Sequence, residues 1–310
     1  MIRQGLLWLS EQGKVFRFVR RNPLARSFAS RFVAGETIEE AVAVAAALAP
    51  SGITTSLDLL GESVTAAAEA AAARDEYVRM LDRLAAAPGV EVNVSVKLTQ
   101  MGLDLDPDLC FANMTTILAR AKVLGGFVRL DMEGSDYTDR TLAMYERLHP
   151  EYGGQCGVVI QSMLRRSEAD VERLIELRAR VRLCKGAYLE PPSVAFPDKA
   201  DVDRNYVRLM QQLMENGNYP GLATHDVAMI DAARRFADSR GIAPDRFEFQ
   251  MLYGVRRDLQ ERLVREGQRM RVYVPFGTQW YPYLMRRLAE RPANIAFMAG
   301  NLVREVLPGR

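Results

Sequence analysis

Four side chains near the end of the chain have a spacing that could hold an anion. Tyr283, Arg286, Arg287 and Glu290 fall at i, i+3, i+4 and i+7, so on a helix they share one face. Two adjacent guanidiniums, a carboxylate one turn on and a tyrosine one turn before make a clamp for a carboxylate. Arg suits that task because its planar fork pairs with both carboxylate oxygens. A short apolar run, 270–277, leads almost directly into this helix and would place the clamp at a strand's C-terminal end. Further polar residues stand in or near the ends of other apolar runs: Asp58, Lys97, Asp131, Gln161, Arg182 with Lys185, Thr224 with His225, Glu248 with Gln250, and Tyr273. Any one of them can be a turn or cap residue. A whole ring of such groups is harder to bury without partners, and points to an active site.

The elements that would position this ring alternate along the chain. After a helical opening through the Ala-rich run 39–48, strand candidates read 53–61, 90–98, 126–131, 157–161, 181–186, 221–225, 247–252 and 271–275. Helical stretches such as 63–87, 167–178 and 227–239 lie between them. Eight strands alternating with helices predict an α/β chain folded as a (β/α)8 TIM-type barrel, whose chemistry belongs at the strand C-termini. A doubly wound open sheet is the alternative, but no GxGxxG follows any strand candidate.

The bulk numbers narrow the function. The 310 residues are 48% hydrophobic and 26% charged with a formal net charge of +2, which gives no electrostatic reason to expect nucleic acid. Cys110, Cys156 and Cys184 are odd in number and form no CxxC, so a reduced, cytoplasmic setting and packing thiols are expected. The two histidines are His149, read as lying in a loop beside Pro150, and His225. They are too few for a site of several imidazoles, and no metal is expected. Residues 5–9 are too short for a signal-peptide core, and no apolar stretch reaches the length of a membrane span. The basic-aromatic run 15–21 leaves three roles open: peripheral contact at the inner face of the membrane, oligomer contact, or packing.

Lys185 also admits a different chemistry. A lysine ending a strand can act as a Schiff-base nucleophile, so a lysine-dependent lyase is the rival mechanism. Against it, the Lys185-Gly186-Ala187-Tyr188 turn lets backbone amides approach a phosphate or a flat ligand, with the lysine as counter-charge.

Taken in order, the motifs resemble those of the proline dehydrogenase family. They are Val-Lys-Leu (96–98), Arg-Leu-Asp-Met-Glu (129–133), Val-Ile-Gln (159–161), Arg-Leu-Cys-Lys-Gly-Ala-Tyr (182–188) and Ala-Thr-His-Asp (223–226). Phe-Glu-Phe-Gln-Met-Leu-Tyr-Gly (247–254), Tyr-Val-Pro-Phe-Gly (273–277) and Tyr-Leu-Met-Arg-Arg-Leu-Ala-Glu (283–290) complete the set. The resemblance covers the chain from about residue 30 onward and is closest to the short, monofunctional bacterial form. It implies a distorted barrel over 36–310, preceded by an N-terminal helical segment over 1–35, with the last helix lying over the mouth. It further implies FAD as cofactor, oxidation of L-proline to Δ1-pyrroline-5-carboxylate by hydride transfer from proline C5 to flavin N5, and a quinone as electron acceptor. A homo-oligomer is left open.

The resemblance also assigns roles residue by residue. Arg286, Arg287 and Lys97 would hold the proline carboxylate, with Glu290 orienting an arginine. Tyr188, Leu252, Tyr273 and Tyr283 would line the substrate pocket, the aromatic Tyr273 going with proline over 4-hydroxyproline. Asp131 would shape the pocket, and Arg182 would stand near flavin N5. Gln161 and Gln250 would meet the cofactor, with Met132 offering a backbone contact. Lys185, Gly186 and Ala187 would approach the cofactor backbone, Thr224 and His225 its ribityl–phosphate portion, and Lys199 the pyrophosphate.

Overall fold

A computed structural model of the chain describes residues 29–290, with side chains as far as Met285. The run 15–21 and most of the expected N-terminal segment lie outside the described residues. Among those described, eight parallel strands pair in sequence order and close into a barrel. They are β1 (Ile53–Leu59), β2 (Asn93–Val96), β3 (Phe127–Leu130), β4 (Cys156–Gln161), β5 (Arg180–Cys184), β6 (Gly221–Ala223), β7 (Glu248–Leu252) and β8 (Met270–Phe276). Closure is made by β1 against β8, in register from Ile53↔Met270 to Leu59↔Phe276.

The helices are α1 (Ile38–Leu48), α2 (Ala67–Ala85), α3 (Pro107–Val123), α4 (Thr138–Tyr152), α5 (Ser167–Glu176), α6 (Lys199–Asn216), α7 (Val227–Arg240), α8 (Arg257–Arg265) and α9 (Trp280–Glu290). Local chemistry starts several of them. Thr37 and Glu40 cap each other's backbone at α1, and Asp106 accepts from the Asp108 amide ahead of Pro107 at α3. Their apolar faces and the outward faces of the strands form one main core.

α1 packs against β1, β8 and α2, so it fills the outer-ring position beside the closing strand pair. The helix after β8 is therefore not needed there. α9 packs Trp280, Tyr281, Tyr283 and Leu284 instead with Leu60, just past the end of β1, and with Ala29 and Val33. This second cluster sits at the C-terminal face of the barrel, where the last helix was expected. The chain before α1 is tied to the same face, since the Ala34 amide donates to Pro275 O at 2.9 Å and the Gly277 amide to Gly35 O at 2.9 Å.

Two expectations need correction. Several strands are shorter than their apolar runs: β2 ends at Val96, because Lys97 leads into a 3-10 turn over Leu98–Met101. β6 likewise stops at Ala223. His149 and Pro150 are not in a loop but inside α4. Leu148 and Tyr152 are buried and the His149 ring stands 5.5 Å from that of Tyr145, so packing holds the last turn despite the missing proline N–H.

Candidate active site

Paired residues on parallel strands point to the same side of a sheet, so register alone sorts the side chains. One chain of partners runs Asp58–Ser95–Arg129–Gly157–Arg180, and another Val159–Arg182–Gly221–Glu248. A third runs Ala223–Gln250–Arg271, and Leu252 pairs with Tyr273, which pairs with Ser56. The bonds among these side chains put them inside. TIM-type barrels are commonly filled with Val, Ile and Leu. This interior is polar and charged instead, which makes hydrogen-bond satisfaction its main constraint.

Near the mouth the polar groups form two linked clusters. Arg182 Nη1 donates to Asp131 Oδ1 at 2.8 Å and to Ser95 Oγ at 3.2 Å, while its Nε donates to Gln250 Oε1 at 2.5 Å. Tyr273 donates its hydroxyl to the other Asp131 oxygen at 2.7 Å, and the Arg182 guanidinium lies 5.2 Å from the Tyr273 ring centre. Burial, with Asp131 and Asp58 nearby, pushes the Tyr273 phenol well above its ordinary range, so it stays a donor. Beside this cluster, Lys97 Nζ donates to Asp58 Oδ1 at 2.9 Å. Burial pushes the Asp58 carboxyl up while Lys97 pulls it back. Burial also works against the Lys97 charge, but Asp58 and Asp131 overcome it and hold the ammonium above its ordinary range.

Deeper in the barrel, Glu248 accepts from Gln250 Nε2 at 2.6 Å and from Arg271 at 2.7 and 3.0 Å. The sequence reading placed Glu248 with Gln250 at a strand end. Glu248 is in fact the first residue of β7, two positions below Gln250 on the same face. Space for these groups comes from glycine: a Cβ on Gly221 would overlap the Gln250 amide nitrogen, and one on Gly157 would lie 2.6 Å from Arg129 Nη1.

The remaining candidates gather around the rim. Gln161 closes β4 and donates through Nε2 to the carbonyls of Met132, at 3.3 Å, and Glu133, at 3.1 Å. Its Oε1 is buried and has no hydrogen-bond partner. Lys185 reaches Asp203 at 2.5 Å and Asp226 at 2.7 Å, and Lys199 also bonds Asp203. Gly186, at φ 105°, adopts a conformation that L side chains rarely take, and a Cβ there would collide with Met163. The Thr224 hydroxyl accepts from the Asp226 amide at 3.1 Å. His225 does not cap α7; Asp226 does, and His225 Nε2 accepts from the Leu252 amide at 2.9 Å. Ala187 and Tyr188 follow on the loop after β5, where Tyr188 is partly exposed. Tyr283 is buried in the α9 cluster. Arg286, Arg287 and Glu290 belong to α9, and their side chains lie outside the described residues.

Ser95 was missed by sequence reasoning, and Asp58 was seen in the ring but given no role. The signal for Ser95 was present: Glu91, Asn93, Ser95 and Lys97 alternate strictly with valines, marking one polar face through β2. The lyase alternative gains no support, because the Lys185 ammonium is held by two carboxylates rather than set in apolar surroundings.

Comparison with known proteins extends the geometry. The family model described as "Proline dehydrogenase" matches residues 41–300. The proline dehydrogenase of Deinococcus radiodurans is 44% identical over 308 residues, covering 98% of each chain. Proline dehydrogenase 2 of Bacillus subtilis is 41% identical over 302 residues, 95% of this chain and 96% of that one. Among solved structures, proline utilization A (PutA) from Bdellovibrio bacteriovorus inactivated by N-propargylglycine superposes with a TM-score of 0.82 at 27% identity. That match covers 96% of this chain and 39% of the other. By these matches over nearly its whole length, the chain belongs to the proline dehydrogenase family.

Proposed function

We propose that this chain oxidises L-proline to Δ1-pyrroline-5-carboxylate with FAD, and that a quinone takes the electrons onward. The observation that carries this reading is the convergence of Lys97, Asp131, Arg182, Gln250 and Tyr273 inside one barrel of a proline dehydrogenase family member. The donor set suits a flavin. The orphaned Gln161 Oε1 is an acceptor suited to a ring N–H, and Arg182, held by Asp131, would supply positive charge toward the flavin. Lys185, Lys199 and the Gly186 turn suit a pyrophosphate. FAD, when bound there, supplies a two-electron acceptor.

The protein's own groups would do the rest. Lys97, fixed by Asp58, and Arg286 and Arg287 would bind the proline carboxylate, a small anion with few other handles. Such anchoring holds C5 in one orientation, where geometry contributes much of the rate. Tyr273, itself fixed by Asp131, and Leu252 would pack on the ring and exclude water. Loss of hydride from C5 needs the nitrogen lone pair to form the C=N bond, so the neutral amine is the reactive form. The proline zwitterion gives up one N-proton before the hydride leaves and the second afterwards, from the iminium.

A visible spectrum before and after anaerobic L-proline tests the reading. Flavin bands that bleach with L-proline and not with D-proline are the expected result; bands that stay oxidised would overturn the substrate. Arg286→Met and Arg287→Met are each expected to remove a charge-assisted bond worth about 1.5–3 kcal/mol. The proline KM should then rise by roughly one to two powers of ten. Unchanged steady-state kinetics in both variants would remove α9 from the carboxylate site.

Among the described residues no helix is long and apolar enough to cross a membrane. The quinone would be met at the barrel mouth, where the reduced flavin would be reached, and peripheral contact through 15–21 is part of the same proposal. Vesicle co-sedimentation of the full chain checks it.

A further inference from the structure

We infer that Glu248, a residue too deep in the barrel to touch substrate, positions Arg182 by fixing the direction of the Gln250 amide. The inference rests on the reading that Arg182 faces the flavin, and deepens it.

An ionised Glu248 only accepts hydrogen bonds, so Gln250 must present its NH2 end to it. The carbonyl end of the same amide is then turned toward Arg182, whose Nε can only donate. Each group in the series Arg271–Glu248–Gln250–Arg182–Asp131–Tyr273 thus has its donor or acceptor role set by its neighbour. An amide between two groups that did not dictate its direction could flip; this one cannot without losing both bonds.

Two further observations fit positioning better than charge balance. Gly221 keeps its place empty of a side chain where the Gln250 amide lies, so the neighbouring strand β6 is shaped to that amide. Arg271 already has a second carboxylate in Glu91 at 2.9 Å, and Glu248 accepts from the Tyr219 hydroxyl at 3.1 Å. A mere counter-ion for Arg271 would not need to be tied to Gln250 as well. Depth excludes direct action: Glu248 lies two positions below Gln250, about 7 Å along the strand.

The decisive variant is Glu248→Asp in the FAD-loaded enzyme. It keeps the charge and withdraws the carboxylate by one methylene, so Gln250 is no longer held. We expect kcat for proline to fall about tenfold while KM stays within about twofold, since the carboxylate clamp is untouched. The midpoint potential of the bound flavin, measured without proline, should become more negative as the Arg182 charge loosens. Combined with Arg182→Lys, Glu248→Asp should add nothing to the loss caused by Arg182→Lys alone. A lowered thermal midpoint with wild-type kcat and potential, or fully additive losses, would make Glu248 structural and overturn the inference. If the Asp variant does not fold, Glu248→Leu, which removes the acceptor as well as the charge, decides by sign. Loss of a buried negative charge alone makes flavin reduction easier and moves the potential positive, whereas a loosened Arg182 moves it negative; a positive shift overturns the inference. Failure of the parent reading is seen separately, as wild-type flavin that L-proline does not bleach.

Discussion

Arg182→Met is expected to lower kcat by about a hundredfold, in line with removal of one preorganised charged donor from a water-poor site. The side chain holds three partners at once, and each is left changed. Gln250 Oε1 loses its donor at 2.5 Å, Ser95 Oγ loses one at 3.2 Å, and Asp131 keeps only Tyr273. Breaking such a buried pair by removing one member costs about 3 kcal/mol or more, because the other charge stays behind. The variant should therefore be both slow and less stable, and should bind FAD more weakly. Arg182→Lys keeps the charge but cannot span Gln250 and Asp131 with one planar fork, so it should recover stability before it recovers rate. Stopped-flow flavin reduction and a thermal scan on the same preparations check both halves. Wild-type reduction rates in Arg182→Met would remove Arg182 from the chemistry and leave it as a strut of the barrel.

How far the sequence could carry this reading depended on which physical signal each part left. The strands were legible because both faces of a barrel strand are covered, so they appear as compact apolar runs between helical stretches. Their ends were not: Lys97, Lys185 and Thr224 continue the run in sequence, while the strands end at Val96, Cys184 and Ala223. Phe247-Glu-Phe-Gln-Met-Leu252 alternates visibly, but alternation does not say which face is inside. Here the aromatic face packs under the helices and Glu248 and Gln250 fill the interior, the reverse of an apolar-filled barrel. The depth of Glu248 followed only from register. The loop assigned to His149 rested on Pro150 as a breaker, and tertiary burial of Tyr152 overrode that local preference. Pairings such as Lys97 with Asp58, 39 residues apart, or Arg182 with Gln250, 68 apart, left no local trace at all.

Arg271→Met is expected to cause the largest loss of stability, about 3–5 kcal/mol, since it strands a carboxylate that is 2% exposed. The pH dependence should identify the cause. Burial by itself would push the Glu248 carboxyl up, but the attraction and hydrogen bonds of Arg271, with help from Gln250, pull it down from 4.5 to about 2. A carboxyl depressed on folding stabilises the native state fully above its unfolded value. That contribution is lost as pH falls through the folded one. In the wild type it amounts to about 3 kcal/mol, lost between about pH 4.5 and pH 2. Without Arg271 the burial effect remains and its main opponent is gone, so the folded value should rise. Stability of the variant should then fall less steeply than that of the wild type over the same acid range, and the two unfolding curves should converge at low pH. Urea titrations of both proteins from pH 7 down to pH 2 read this directly. The double change Arg271→Met with Glu248→Met removes both charges together, and should be more stable than Arg271→Met alone. Parallel pH profiles for wild type and Arg271→Met would show that Arg271 is not what holds the Glu248 proton off, and that the interior charges are balanced elsewhere.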